Sequence, residues 1–263
     1  MSLTAKEVSL IISTYNWPIA LKLCLESVAG QTQLPKEVIV ADDGSTEETK
    51  QVVDSFKNRI NIVHVWHEDK GFRLAEIRNK AIKKATGQYI VQIDGDIILH
   101  KKFIADHVAF AKKGFYTRGT RVKLSKELSQ KLWAGIPINL NLFTSGLETR
   151  ENAIRWGFLT NLLSKPKKQS SHALGCNMAF WREDLIHVNG YNNELTGWGH
   201  EDEELCARLV NSKIYRRKIK YSAIAYHIYH EERQKENENN HNSIIEETIK
   251  NKITRHKNGI FAE

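Results

Sequence analysis

Four short segments of the 263-residue sequence bring acids, histidines and an aromatic residue together at spacings that could do chemistry. Asp94-Gly95-Asp96 follows the apolar run YIVQI. In an extended chain residues i and i+2 point the same way, so both carboxylates could face one cation. Hard divalent ions take such oxygens, and a diphosphate can supply further ligands; Asp and Gly are equally common in plain turns. Asp42-Asp43-Gly44-Ser45 ends the run EVIVA in a similar way. A carboxylate there could accept hydrogen bonds from a uracil imide or a ribose hydroxyl, or could form an Asx turn and helix cap. In Gly197-Trp198-Gly199-His200, followed by four acids from Glu201 to Glu204, acids in a first helical turn suit the helix dipole. The dipole does not account for the Gly-Trp-Gly approach, which would set an indole face beside a carboxylate. Aromatic faces stack on sugar rings, and a neighbouring carboxylate can deprotonate a hydroxyl. Last, His227 and His230 form an H-x-x-H pair that could complete a metal site or sit in a polar loop. Lys70, Arg73 and Arg78 offer cations suited to phosphates, Arg through its planar fork.

Alternating strands and helices must position these groups. VSLIIS from Val8 is a continuous apolar run, as expected of a parallel strand covered on both faces. A helix with Pro18 in its first turn and a Leu21, Leu25, Val28 stripe follows. EVIVA is the second strand; Ser45 with Glu48 reads as a capping box opening a helix to about Lys57. INIVHVW is the third strand, Leu74 to Lys84 a helix with Gly87 as its C-cap, and YIVQI the fourth strand. This order predicts an α/β fold with a parallel sheet and right-handed crossovers. Ligands bind beyond the carboxyl ends of such strands, and Thr14-Tyr15-Asn16, Asp42-Asp43 and Asp94-Gly95-Asp96 all fall at that edge. The pattern weakens over residues 121–171, where Trp133, Phe143, Trp156 and Phe158 lie among Gly, Pro and polar residues before Lys165-Pro166-Lys167-Lys168. This segment is read as a partly ordered insertion, a lid or acceptor platform. Regular structure is expected again over 172–232, including a helix from Glu201 and a strand-like YSAIAYHIYH, with a charged, solvated helical tail over 233–263.

Composition sets limits. With 41% hydrophobic and 27% charged residues the chain is of ordinary globular type, read as one domain with a nucleotide-binding half over 1–120. No apolar run approaches the roughly 20 residues of a membrane span, and MSLTAKEVSL lacks a signal-peptide core. Cys24, Cys176 and Cys206 are odd in number and widely spaced, so they are expected as buried free thiols in a reducing, cytoplasmic setting. The net charge of +8 points to anionic partners: nucleotide diphosphates, an anionic membrane face or nucleic acid.

Taken together, VSLIISTYN, EVIVADDGST, DKGFRLAEIRNKAI and YIVQIDGDI resemble the inverting family 2 glycosyltransferases of the GT-A fold. GCNMAFWREDL, GYNNELTGWGHEDEEL and HIYH are similar to the galactosyltransferase C-terminal module of β-1,4-galactosyltransferases and bacterial chondroitin-type polymerases. The resemblance implies that Thr14, Tyr15, Asn16, Asp42 and Asp43 line a uridine pocket and that Arg78 approaches the nucleotide. It makes Asp96 the principal ligand of Mn²⁺ or Mg²⁺, with Asp94 facing the ribose or the ion and His230 as the downstream ligand. Galactosyltransferases carry methionine where this chain has His227, so ligation by His227 would be a departure, and one tolerant of borderline metals. Asp202 matches the general base, Glu201 the residue orienting the acceptor, and Trp198 with Gly199 the acceptor platform. The implied reaction is a single in-line displacement at the anomeric carbon, from a UDP-sugar to a glycan or glycolipid hydroxyl, in bacterial surface polysaccharide or glycolipid synthesis. Three rivals stand beside it. A nucleotidyltransferase would ordinarily carry a Gly-rich basic loop where this chain has STYNWPIAL, and a nucleic-acid-binding protein would show a recognition motif that is absent. An inactive sugar-binding relative would not need to keep Asp96, Asp202 and His230.

Overall fold

Alternate residues along the first strands feed two different cores. In β1 (Val8–Thr14), Val8, Leu10 and Ile12 join one apolar cluster and Ile11 the other. β2 (Glu37–Asp42) sends Val38 and Val40 to the first and Ile39 and Ala41 to the second, and β4 (Tyr89–Asp94) divides in the same manner. Both sheet faces are thus covered, which is why these runs lack polar alternation. The computed structural model describes residues 3–168, 170, 173–197, 199–231 and 238–261.

The main sheet has seven strands in the order β3-β2-β1-β4-β8-β6-β9, with β3 at Ile62–Trp66, β6 at Phe115–Arg118, β8 at Asn177–Trp181 and β9 at Tyr215–Lys218. β3, β2, β1 and β4 are mutually parallel; β8 runs antiparallel to β4 and to β6, and β9 is parallel to β6. β4, β6 and β9 therefore share one direction. α1 (Pro18–Ala29), α2 (Glu47–Ser55) and α3 (Leu74–Lys84) make the crossovers. A second sheet pairs β10 (Ala225–His227) with β5 (Ile97–Leu99) on one side and β7 (Val122–Lys123) on the other. This α/β architecture, with a mostly parallel sheet between helices, is the one expected.

Several local expectations are corrected. α2 begins at Glu47 with Thr46 as N-cap, and no capping box forms, because Ser45 Oγ accepts the Asn16 N–H instead. α3 ends at Ala85. Gly87 serves close approach rather than capping: a Cβ there would stand 2.7 Å from Glu7 O and Ser9 N. Residues 121–171 are more regular than their sequence suggests. They hold β7, α5 (Lys126–Trp133), a 3-10 turn at Arg150–Ala153 and α6 (Gly157–Leu163), and Val122, Leu124, Leu128, Leu132 and Leu147 form a third small core with Ile224 and Tyr226. The C-terminal helix α9 (Glu238–Lys250) is not simply solvated. It packs on α8 (Glu201–Asn211), and its His241 and Thr248 are buried. α4 (Phe103–Phe110), α7 (Arg182–His187) and a 3-10 turn at Ala5–Glu7 are the remaining helical elements among the described residues. The three cysteines are buried free thiols. Among the described residues no helix is long and apolar enough to cross a membrane.

Candidate active site

A cleft of about 790 Å³ opens at the carboxyl ends of β1 and β4. Thr14, Tyr15, Asp43, Arg78, Asp94, Asp96, Gly199, Glu201, Asp202, His227 and His230 all line it. Residues from six separate parts of the chain thus meet where a twisted parallel sheet leaves room for a ligand.

Asp94 and Asp96 take different side-chain partners. Even positions of β4 point to the α3 side, and Asp94 follows them, its Oδ1 accepting from Arg78 Nη2 at 3.2 Å. The chain then turns at Gly95-Asp96, which breaks the strand alternation and sends Asp96 toward the second sheet. There the register sets His227 opposite Ile97, and the Ile228 N–H donates to Asp96 O at 3.0 Å. His227 Nε2 and His230 Nε2 lie 3.5 and 3.3 Å from Asp96 Oδ2. One ligand atom from each of Asp96, His227 and His230 can be chosen so that all fall within 4.8 Å of one another.

The electrostatics suit a divalent cation. Asp96 Oδ1 is buried and meets no hydrogen-bond partner among the described residues, a costly arrangement unless a cation takes the lone pairs. Burial works to raise the Asp96 carboxyl, but the His230 hydrogen bond and the two imidazoles outweigh it and hold it below the ordinary value. Burial pushes the His227 imidazole down to about 4, so it is neutral and able to ligate near pH 7. His230 moves the other way, raised chiefly by its hydrogen bond to Asp96. The residues present fit a metal of the Mn²⁺ class, with mixed imidazole and carboxylate donors.

Arg78 organises the opposite wall. Its guanidinium is 1% exposed, and it donates to Ser13 Oγ, Asp94, Glu201 and Asp202 at 3.1–3.3 Å. Arg78 lines the cleft and there holds three carboxylates at one buried cation. Asp94 is pushed up to about 6 by burial and by the charges of Asp96 and Asp202, against the pull of Arg78. Glu201 is pushed up to about 7 by burial and then by Asp202; its Oε2 is buried and has no partner among the described residues.

The four acids opening α8 have separate fates. His200, in the left-handed region at φ 72°, is the N-cap residue. Glu201 and Asp202 turn into the cleft, Glu203 meets His200 Nδ1 at 3.1 Å, and Glu204 forms a fully buried ion pair with Arg208 at 2.6 Å. Asp202 Oδ1 accepts from Tyr191 Oη at 2.9 Å, Arg78 Nη1 at 3.3 Å and Gln92 Nε2 at 3.4 Å. Its Oδ2 accepts from none of the described residues. Gly175 makes space for it, since a Cβ there would stand 2.1 Å from Oδ2.

The remaining expected residues divide. Asp43 lines the cleft with both oxygens engaged, by His67 at 2.6 Å and the Arg73 N–H at 2.9 Å. Tyr15 donates to Asp69 at 2.8 Å. Asp42 is fully buried, bound to the Ser45 N–H and His64, and Asn16 accepts from the Thr46 N–H. Neither of these two lines the cleft; they brace the loops that do. Trp198 lies outside the described residues. Of the cations singled out for phosphates, Lys70 pairs with Glu68 and Arg73 with Glu76. The cleft instead takes Arg121 and Lys123 from the insertion, residues with no motif around them. Trp17 stacks edge-on against His230 and tilted against Trp133. His241 was also missed: its ring nitrogens lie 2.6 Å from Gly199 O and 3.1 Å from Thr196 O, tying α9 to the loop before α8.

Residues 9–188 match the profile of Glycosyl transferase family 2, more than half of the chain. The chain belongs to glycosyl transferase family 2. A second profile, described as the N-terminal domain of galactosyltransferase, matches residues 159–231 of the chain. The family 2 chain is similar to chondroitin synthase of Escherichia coli, at 30% identity over 235 residues, covering 83% of this chain and 34% of that protein. It is similar also to validoxylamine A glucosyltransferase of Streptomyces hygroscopicus subsp. limoneus, at 29% identity over 228 residues, covering 76% and 47%. The chain thus spans a third to a half of these relatives' length. S. aureus TarS 1-349 superposes with a TM-score of 0.60 at 20% identity, covering 84% of this chain and 60% of that one. The mannosyltransferase PcManGT of Pyrobaculum calidifontis, in complex with GDP-Man and Mn²⁺, superposes with a TM-score of 0.56 at 18% identity, covering 84% and 56%. The fold of this family 2 member is GT-A.

Proposed function

We propose that this glycosyltransferase moves a sugar from a UDP-sugar to a glycan hydroxyl with inversion, dependent on a divalent metal, within polysaccharide or glycolipid synthesis. The observation that carries the reading is the arrangement across one cleft: Asp96, His227 and His230 on one wall, Asp202 with its open Oδ2 on the other. Asp96, His227 and His230 would hold the cation, which when bound would neutralise charge on a departing diphosphate. The chain of E. coli chondroitin synthase and TarS in complex with UDP and with UDP-GlcNAc are the relatives that favour a UDP donor and a polymer product.

In this reading each of the chain's own residues around the cleft has a role that its position supports. Asp202 takes the acceptor proton on Oδ2, while Tyr191, Arg78 and Gln92 fix its Oδ1 and so its orientation. Glu201, held next to it by Arg78, orients the acceptor, and Gly199 with Trp198 forms the platform. Thr14, Tyr15 and Asp43 bound the nucleoside side of the cleft, with Asp94 toward the ribose. Arg121, beside Cys176, is placed to meet phosphate oxygens. No covalent enzyme intermediate is needed: the one thiol lining the cleft, Cys176, is pushed up to about 12 by burial and stays protonated.

A thermal-shift screen of nucleotide sugars with and without Mn²⁺ tests the reading, because a saturating ligand stabilises by mass action. A UDP-sugar should raise the melting temperature only with the metal present. Equal shifts in chelator and in Mn²⁺ would overturn metal dependence, and a response confined to GDP-sugars would overturn the donor.

A further inference from the structure

The insertion carries a second surface that the transfer cleft does not use. α6 is fastened by one side: Thr160 Oγ1 donates to Lys220 O at 2.9 Å and lies 2.8 Å from Ser222 Oγ, and Arg217 donates to Asn161. Its other side is apolar and open. Phe158 is 82% exposed, Leu162 76% and Leu163 55%, and Trp156, just before the helix, 55%. Phe158 and Leu162 are four residues apart and project from the same face. Large side chains grouped in this way on a surface mark a contact site.

A collar of cations adjoins the patch. Lys165, Lys167 and Lys168 follow α6 directly, and the main chain of Lys167 pairs with Arg216 on β9, the edge strand of the main sheet. The pairing brings the basic run beside Lys218 and Lys220. Burial, and then the surrounding Arg118, Lys220, Lys167 and Arg216, hold the Lys218 ammonium below its ordinary value. Lys165, Lys167, Lys168, Lys218 and Lys220 form no ion pair among the described residues, and Asp106 on neighbouring α4 is taken up by Arg155 at 2.5 Å. Because β9 runs in the direction of β4, its carboxyl end and α6 lie on the sheet edge that holds the cleft, three strands from Asp94. At about 4.8 Å per strand that is roughly 14 Å.

We propose that Trp156, Phe158, Leu162 and Leu163, with the lysine collar, form a docking surface for an anionic lipid bilayer. The apolar side chains enter the headgroup–acyl boundary while the lysines rest on the phosphate layer, which holds the cleft over the membrane. A soluble polyanion would occupy the lysines but leave the apolar face in water; a bilayer satisfies both halves. The inference stands on this surface alone and does not depend on the transfer reaction.

The test is co-sedimentation of the full chain with vesicles of pure phosphatidylcholine and with vesicles containing roughly a third phosphatidylglycerol. The chain should pellet with the anionic vesicles and remain in solution with the neutral ones. A Lys165→Ala, Lys167→Ala, Lys168→Ala variant should partition roughly a hundredfold less, since each lysine near an anionic surface is worth about fivefold. A Phe158→Glu, Leu162→Glu variant should also lose binding, with unchanged circular dichroism and melting temperature in both variants. If the double variant fails to fold, Leu162→Ser gives the same comparison. Failure of the parent to bind anionic vesicles would overturn the proposal. So would parental binding by the apolar variant alongside loss in the lysine variant, which would assign the site to a polyanion.

Discussion

Asp202→Asn separates the two roles that the first turn of α8 allows. Asp202 Oδ1 accepts from Tyr191, Arg78 and Gln92, and an amide oxygen in the same place keeps all three bonds. The losses are one negative charge and the open Oδ2. The charge contributes about 0.3–1 kcal/mol to the helix dipole, and Glu201 and Glu203 remain in the turn. Weakening the bond from Arg78 costs about 1–2 kcal/mol more, partly offset because Arg78 keeps Asp94 and Glu201. The variant should therefore fold, about 1–3 kcal/mol less stable. Loss of the proton acceptor predicts a fall of about 10²–10⁴ in the transfer rate, or about 2.7–5.4 kcal/mol at 1.36 kcal/mol per decade. The assay is product formation at saturating donor, acceptor and Mn²⁺, with UDP affinity from calorimetry as the control. Glu201 supplies a second readout: part of its rise to about 7 comes from the Asp202 charge, so the pH profile of residual activity should move to lower pH. Transfer within a few-fold of the parent would refute the base role and leave Asp202 a helix-capping acid. UDP affinity lost together with rate would make it a structural strut.

Three further outcomes are expected. Mn²⁺ affinity, measured by calorimetry, should drop by at least tenfold in His227→Ala and in His230→Ala; in the parent it should weaken as pH falls through the raised His230 value, where a proton competes for the ligand, while His227 at about 4 stays available. Gly175→Ala should abolish most transfer, because its Cβ would stand 2.1 Å from Asp202 Oδ2 and push it aside, at a stability cost of about 1–3 kcal/mol by denaturant melt. Fully buried His107 is pushed down to about 4 from 6.5; the unfolded chain binds this proton between those values and the folded chain does not, so stability rises with pH over that window. Acidification from pH 7 to pH 4 should cost about 3 kcal/mol through this residue, and His107→Gln should lose correspondingly less in denaturant titrations at the two pH values.

The strands and first three helices were legible because their signals are local. A run such as VSLIIST is buried whichever partner covers it, and Leu21, Leu25 and Val28 repeat at helical spacing. The acids and histidines of the cleft were legible as types for the same reason: strand-end carboxylates and H-x-x-H stand out against apolar neighbours. Features set by distant partners were not. Arg121 and Lys123 enter the cleft because β7 pairs with β10, and no residue near them announces that pairing. His241 looks like one more polar residue in a charged tail until α9 lies on α8 and the Gly199 carbonyl receives it. Asn16 and Asp42 read as ligand-facing because they sit at strand ends, yet loop bracing uses the same hydrogen-bonding chemistry.

The two acids of Asp94-Gly95-Asp96 carry the same lesson to the level of mechanism. The period of a strand predicts one direction for both carboxylates, and that period holds only while the strand continues. The turn at Gly95-Asp96 ends it one residue too early. A Cβ at position 95 would lie 3.1 Å from Ser13 O, so glycine lets β4 pass close to β1 as the chain bends. The bend is what divides the labour of the motif. Asp94 joins the Arg78 cluster with Asp202 and Glu201, and Asp96 joins the histidines. Had the strand run straight, both acids would lie on the Arg78 side and the histidines would face no carboxylate. A three-residue segment thus links the wall of Asp96, His227 and His230 to the wall of Arg78 and Asp202, through a single change of backbone direction.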